Sequence, residues 1–228
     1  MNWASFLADL KFILSSGITL VSISAVMGYF TITTAGTHPG PASDWPIAAQ
    51  LASALVIFEA FNYSLHRAMH QMRGPIGRLL WRSHAAHHLP PRLYLVMHAV
   101  FHPINAVLTL GTAMTLPVWL MGYGSEAAAM FLNINGMHGL ISHFNVDIRA
   151  GWMNYLFVGP ELHRYHDSAS LTELGNFGAT LPLFDILFGT FTYRPGIPPQ
   201  ELGVLPSAGL PLYEQFGAVM ALPFRRTN

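Results

Sequence analysis

The chain has 228 residues, of which 52% are hydrophobic and only 10% are charged, well below the roughly 25% usual for a soluble domain. Its formal charge is zero, which removes any general attraction to nucleic acid. It has no cysteine, so disulfides and thiolate metal ligands are excluded and the redox compartment stays open. Twelve histidines stand against eleven acids, and that ratio is the first indication of chemistry.

Four apolar segments follow one another along the chain. The first, "FILSSGITLVSISAVMGYF" at 12–30, matches the roughly 20 residues needed to cross a bilayer core. Its apolar stretch is too long for a cleavable leader, and no convincing cleavage site follows it. A polar linker rich in proline and glycine, "TTAGTHPGPASDWP", leads to the second run, "IAAQLASALVIFEAFNY" at 47–63. The third interval, Leu93 to Ser125, carries no Asp, Glu, Lys or Arg, and neither does the stretch between Glu126 and Asp147. "GYGS" between these last two has the composition of a tight turn. The expectation is an all-α integral membrane bundle of about four transmembrane or re-entrant helices. Two hairpins, 12–63 and 93–146, carry a cytosolic, helical, histidine-rich cap formed by 64–92 and 138–192, the whole of 1–228 being one domain. Soluble helices rarely run so far without charge.

Arg67, Arg73, Arg78, Arg82 and Arg92 all fall between the second and third runs. The positive-inside rule places that segment in the cytoplasm. His66 and His70 then sit where the second run leaves the membrane. His84, His87 and His88 lie in the cytoplasmic segment. His138 and His143 end the fourth run, with His163 and His166 just beyond it. Nine histidines converge on one membrane face, and His38 is expected on the other.

Spacing sharpens this. His66 and His70 are four apart; His84, His87 and His88 are related by three and four; His163 and His166 are three apart. Such residues are neighbours on a helix. His138 and His143 are separated by about 140° on an ideal helix, so they share a site only if that helix bends or carries a π-bulge. Neutral imidazole binds Zn, Fe, Cu or Ni, and eight or nine ligands imply two metals. No "HExxH" is present, which removes the usual metalloprotease motif. Without cysteine there is no iron–sulfur or P450-type haem ligation. "THPGP" at 37–41 reads as a proline-glycine turn. No glycine-rich nucleotide fingerprint is found, so reducing power must come from another protein.

The ordered motifs "YSLHRAMH", "WRSHAAHH", "HGLISHFNV", "GPELHRYHD" and "NFGATLPLFDILFGTF" resemble the fatty acid hydroxylase / sterol desaturase superfamily of integral membrane non-haem di-iron oxidases, over about Glu59 to Thr192. The resemblance implies two histidine-held irons, with zinc able to replace them in overexpressed protein. It implies O2 as co-substrate and attack on a lipid C–H bond, to hydroxylate or to desaturate. It also implies an external donor of the cytochrome b5, ferredoxin or reductase type. The family's ligands fall on His66, His70, His84, His87, His88, His143, His163 and His166, with His138 beside them. Asp167 occupies the place of the last histidine of the final box. It can ligate iron, accept from a ligand N–H or mark a weakened second site, and direct or near-direct ligation is the expectation adopted. Asn105 stands where the family often has an acid.

His98 and His102, inside the third run, are intramembrane ionisable groups and functional suspects. His102 matches an "HP" position of the family and is expected to support the site without ligating; His98 is grouped with it. Glu59, seven residues before His66, either orients a ligand imidazole or is an interfacial acid. Asp185 is expected to brace local structure. Apart from the metal ligands, no catalytic acid–base pair is apparent. A membrane metal-binding protein without catalysis, such as a transporter or sensor, is the competing function, and a haem-bearing quinone oxidoreductase is a third. A transporter places its ligands near the midplane, whereas these gather at one face. Sterol, fatty acyl chain, carotenoid and ether lipid all remain open as substrates.

Overall fold

In a computed structural model that describes residues 3–34 and 39–225, every regular element is helical and no extended strand occurs among the described residues. We number the helices α1 Trp3–Thr34, α2 Ile47–Gln71, α3 Gly74–His88, α4 Pro103–Met121, α5 Ser125–Ser142, α6 Pro160–His166, α7 Leu183–Phe188 and α8 Phe216–Met220. His38 and Thr37 of the "THPGP" turn lie outside the described residues.

Three described helices are long and apolar enough to cross a membrane: α1 over Trp3–Ile23, α2 and α4. Many of their large apolar side chains stay uncovered by protein; Leu14, Ile18 and Val21 on α1 are all exposed. That is expected where lipid, as apolar as leucine, replaces water around the helix. The fourth apolar run forms α5, a helix of 18 residues, which is not among those three.

Two turns set the arrangement. The α4–α5 corner is "GYGS", with Gly122 in the left-handed region at φ 68°. There the backbone closes against Gly40, where a Cβ would sit 2.3 Å from the carbonyl carbon of Met121. Gln50 clamps the same corner by donating to Trp45 O at 2.8 Å and accepting from Gly124 N at 2.8 Å. The α2–α3 turn is shorter. Gly74 has φ 83° and Pro75 occupies the first turn of α3, a position that needs no N–H. The reversal lays α3 along α2 and sets "HRAMH" against "HAAHH".

Below this hairpin, Phe58 of α2 meets Phe131 of α5 edge-on at 5.5 Å, in a cluster that includes Ala54, Ala113 and Val118. A second cluster joins Phe12 of α1 to the C-terminal segment, with Phe12 stacked on Tyr213 at 5.2 Å. The middle of α4, Val107–Thr115, is π-helical. Thr109 and Thr115 donate to the carbonyls of Asn105 and Leu110, at 2.9 and 2.6 Å, and such hydroxyl back-bonding loosens the helical ladder.

Candidate metal centre

Eight histidines from four parts of the chain form two largely buried groups. His66, His70, His84, His88 and His166 make the first; His87, His143 and His163 make the second. Within each group one ligand atom per residue lies within 4.8 Å of all the others. α2 supplies the first group only, and the residue after α5 supplies the second only. α3 and α6 supply both, so the "HxxHH" box does not face one site. His84 and His88, four apart, turn to one side and His87 to the other, because one helical position rotates the side chain by about 100°.

The imidazoles are aimed from behind. His66 Nδ1 donates to Phe177 O at 2.9 Å, His87 Nδ1 to Val100 O at 3.3 Å, His143 Nδ1 to Gly139 O at 2.6 Å and His166 Nδ1 to Gly175 O at 3.0 Å. A carbonyl only accepts, so Nδ1 carries the proton and Nε2 presents a bare lone pair. His84 Nδ1 likewise faces Asn105 Oδ1 at 3.3 Å. The Nε2 atoms then converge: His66 to His84 at 3.0 Å, His88 to His84 at 3.0 Å, His143 to His87 at 3.2 Å and His163 to His143 at 3.1 Å.

Lone pairs facing each other at this distance repel unless a proton or a cation lies between them. Burial, and then the neighbouring imidazoles, push the pKa values of His84, His87, His163 and His166 below the ordinary histidine value. Imidazolium is thereby disfavoured near neutral pH, and a metal cation between the Nε2 atoms would relieve the repulsion. Ligands held at about 2.0–2.1 Å from a metal stand roughly 2.9–3.4 Å apart, and the observed separations fall in that range. His70 Nε2 and His166 Nε2 are buried without a hydrogen-bond partner. The donor set fits transition metals that accept imidazole.

Asp167 lies between the groups. Its carboxylate is 3.0 Å from His88 Nδ1 and 3.4 Å from His163 Nε2, and the residue is 1% exposed. Neither contact is aligned as a hydrogen bond, and both oxygens lack a hydrogen-bond partner. A buried, unsatisfied carboxylate is costly, and a cation beside it would remove the cost.

α6 has seven residues, too few to be stable alone. Gly159 precedes it and Pro160 opens it. Asn176, at φ 52°, donates to Leu162 O at 3.1 Å and to Thr192 O at 2.8 Å. Tyr165 Oη reaches Ile197 O at 2.6 Å. Asp185 accepts from Phe177 N and Gly178 N at 2.8 and 2.7 Å, the bracing role expected of it. Glu59 is fully buried and accepts from Thr180 N and Ala179 N at 2.6 and 3.1 Å. It touches no ligand imidazole. It holds the loop whose Phe177 carbonyl orients His66.

Three other expected residues lie apart. His138 is in neither group; its Nε2 donates to Val158 O at 2.9 Å. The π-widening that could have joined it to His143 is in α4, whereas α5 is α-helical throughout. The five-residue spacing therefore turns the two rings apart. His102 begins α4, accepting from Ile104 N at 3.1 Å through Nδ1 and donating to Met220 O at 3.1 Å through Nε2. His98 packs 5.3 Å from the His143 ring, over Gly139, where a Cβ would collide with it at 2.2 Å. The carbonyls of Val100, Gly139, Gly175 and Phe177 were not foreseen. Only "NFGA" and "HGLISH" hinted at them, and a carbonyl has no side-chain signature.

A family model described as fatty acid hydroxylase matches residues 51–190, which contain both histidine groups. An ornithine lipid hydroxylase of Rhizobium tropici is 33% identical over 183 residues, covering 80% of this chain and 52% of that protein. A very-long-chain aldehyde decarbonylase of Oryza sativa subsp. indica is 31% identical over 144 residues, covering 58% of this chain and 22% of its own length. The chain thus spans about half of the first relative and about a fifth of the second. No solved structure matches it. With the matched segment running from α2 through both histidine groups to the end of the Asp185 brace, the chain belongs to the fatty acid hydroxylase family.

Proposed function

We propose that the protein is a membrane-bound di-iron oxygenase that hydroxylates or desaturates a lipid C–H bond. The observation that carries this reading is the convergence of bare Nε2 atoms at 3.0–3.2 Å in two adjoining buried groups. His66, His70, His84, His88 and His166 would hold one iron. His87, His143 and His163 would hold the other, with Asp167 serving both. Bound iron supplies activation of O2, the electrons coming from a separate donor protein of the cytochrome b5, ferredoxin or reductase type. Hydroxylation balances as one C–H bond, O2, two electrons and two protons giving a C–OH bond and water.

The chain's own part is orientation and exclusion. Backbone carbonyls fix the ring tautomers, which raises ligand basicity and removes rotational freedom. Trp81 and Phe177 wall the first group, 5.3 and 5.5 Å from the His70 ring, and Phe101 stacks on His87 at 4.9 Å. Those faces would limit water's access to the two histidine groups. The arginines between α2 and α4 support a cytoplasmic orientation of the histidine groups. We read 1–228 as one domain, because α1 and the C-terminal segment pack together through Phe12 and Tyr213.

The test is expression in a lipid-defined host under iron-replete conditions, with metal analysis of the purified protein and mass spectrometry of extracted lipids. Two iron equivalents and a lipid that gains one oxygen, or loses two hydrogens, are expected. Metal without any lipid change would point to the non-catalytic metal-binding alternative. Less than one equivalent of any transition metal would remove the reading.

A further inference from the structure

A cavity of about 630 Å³ opens beside α6, with Arg92, Leu93, Asn145, Arg164, Glu201 and Leu202 in its wall. It shares its framework with the metal centre. Arg164 directly follows His163, and Arg92 lies four residues after His88. The far wall is held to the last residue of the final histidine box, with Gly203 N donating to Asp167 O at 2.8 Å and Ala169 N to Glu201 O at 3.0 Å.

The two arginines are fixed in place but electrically unanswered. Arg164 donates to Val146 O at 3.0 Å and to Asn145 Oδ1 at 3.3 Å, both neutral acceptors. The Arg92 guanidinium lies over the Tyr94 ring, 5.5 Å from its centre. Both residues are half-buried. The arginine ion pairs among the described residues belong to Arg149 and Arg194; Arg92 and Arg164 have no carboxylate of a described residue within 4 Å. Guanidinium forks match carboxylate and phosphate geometry.

An apolar strip leads to this cavity. Phe144, Val146, Ile148, Trp152 and Tyr155 are all exposed, and Asn145 within the strip is itself part of the cavity wall. The strip continues the exposed face of α5, where Met137, Leu140 and Ile141 are uncovered. Tryptophan and tyrosine at the end of such a face mark the membrane–water interface. An acyl chain following this strip brings its polar end to Arg164.

We infer that the cavity binds the carboxylate or phosphate group of the substrate lipid's headgroup, between Arg92 and Arg164. Glu201 in the same wall disfavours a second negative charge and suits the ammonium of a zwitterionic headgroup. The inference rests on the oxygenase reading and names the substrate class for it: an acyl lipid with an anionic or zwitterionic head, in place of a sterol or a neutral lipid.

The test uses the full-length, iron-loaded protein in detergent micelles. Equilibrium binding and steady-state oxidation are measured with an N-acyl amino acid lipid, a phosphodiester lipid and a diacylglycerol. Wild-type protein should bind at least one of the two charged lipids about tenfold more tightly than diacylglycerol. Arg92→Gln and Arg164→Gln should each weaken that binding and raise its KM about tenfold, the loss of one charge-assisted contact, with iron content unchanged. Arg164→Lys should recover part of the loss. Comparison of the two charged lipids tells carboxylate from phosphate. Inorganic phosphate that competes only with the headgroup of bound lipid fits the proposal. Binding of phosphate with no headgroup preference among lipids would make this a free-anion site and overturn it. Equal binding of charged and neutral lipids, or unchanged binding in both glutamine variants at normal iron content, would also overturn it. Binding needs no turnover, so headgroup selectivity without oxidation would sink the oxygenase reading and leave this site standing. Oxidation without headgroup selectivity would do the reverse.

Discussion

The two histidine groups share α3 and α6 and differ in what they offer a metal. The first is a cage of five imidazoles from α2, α3 and α6. The second has three, with the Asp167 carboxylate 3.4 Å from His163. A closed cage of five nitrogen donors suits retention of a metal. A poorer ligand set with an anion beside it leaves positions open for exchangeable ligands, as catalytic metal sites do. Asp167 also reaches His88 of the cage at 3.0 Å, so one residue couples the two. On the proposed reading, the richer group would retain its metal and the poorer one would react, the difference lying in ligand count and the nearby carboxylate.

The largest effect should come from splitting α3. His88→Ala opens the cage and His87→Ala takes one of three ligands from the poorer group. Both should lower lipid oxidation by more than about a hundredfold, exceeding the 10–100-fold usual for outer residues. Metal analysis should separate them: His87→Ala keeps the caged equivalent and loses the other, whereas His88→Ala weakens the cage. Identical stoichiometry in the two variants would erase the distinction between the groups.

Next in size is Asp167. Asp167→Ala should cost about 10–100-fold in metal affinity or turnover, mostly at the second group. Asp167→His should retain metal, since it supplies a nitrogen in place of an anionic oxygen. Wild-type stoichiometry and turnover for Asp167→Ala would remove the residue from the site.

Acidification should act on both groups. Burial lowers the pKa values of His84, His87, His163 and His166 in the folded protein, while the unfolded chain titrates near about 6.5. Below that value the unfolded state binds more protons than the native state, so stability falls as pH falls. Metal-free protein should therefore melt earlier at pH about 5 than at pH about 7.5. Metal should leave the three-histidine group first, because protons compete there with fewer ligands. A melting temperature that does not change with pH would contradict burial of these four imidazoles in their neutral form.

The smallest effect concerns His138. His138→Ala should leave both metal equivalents in place and cost about 1 kcal/mol of stability, one hydrogen bond to Val158 O. Loss of a metal equivalent would bring His138 back among the ligands.

Local sequence determined the apolar runs, the turn at "GYGS" and the histidine-bearing faces, because each depends on residues within one or two helical turns. It also identified Asp167 as the departure from the family's final box. The partition of the ligands was decided only by tertiary structure. Spacing says that His84, His87 and His88 share a face, but a face that borders two cavities serves both, and the fold fixes where the boundary runs. Likewise the Nδ1 partner of His66 is a carbonyl 111 residues away. The bracing of that carbonyl's loop by Glu59 spans 121 residues. Contacts across such distances leave no periodicity in the chain, since backbone carbonyls are the same at every position and only the fold chooses which of them meet an imidazole.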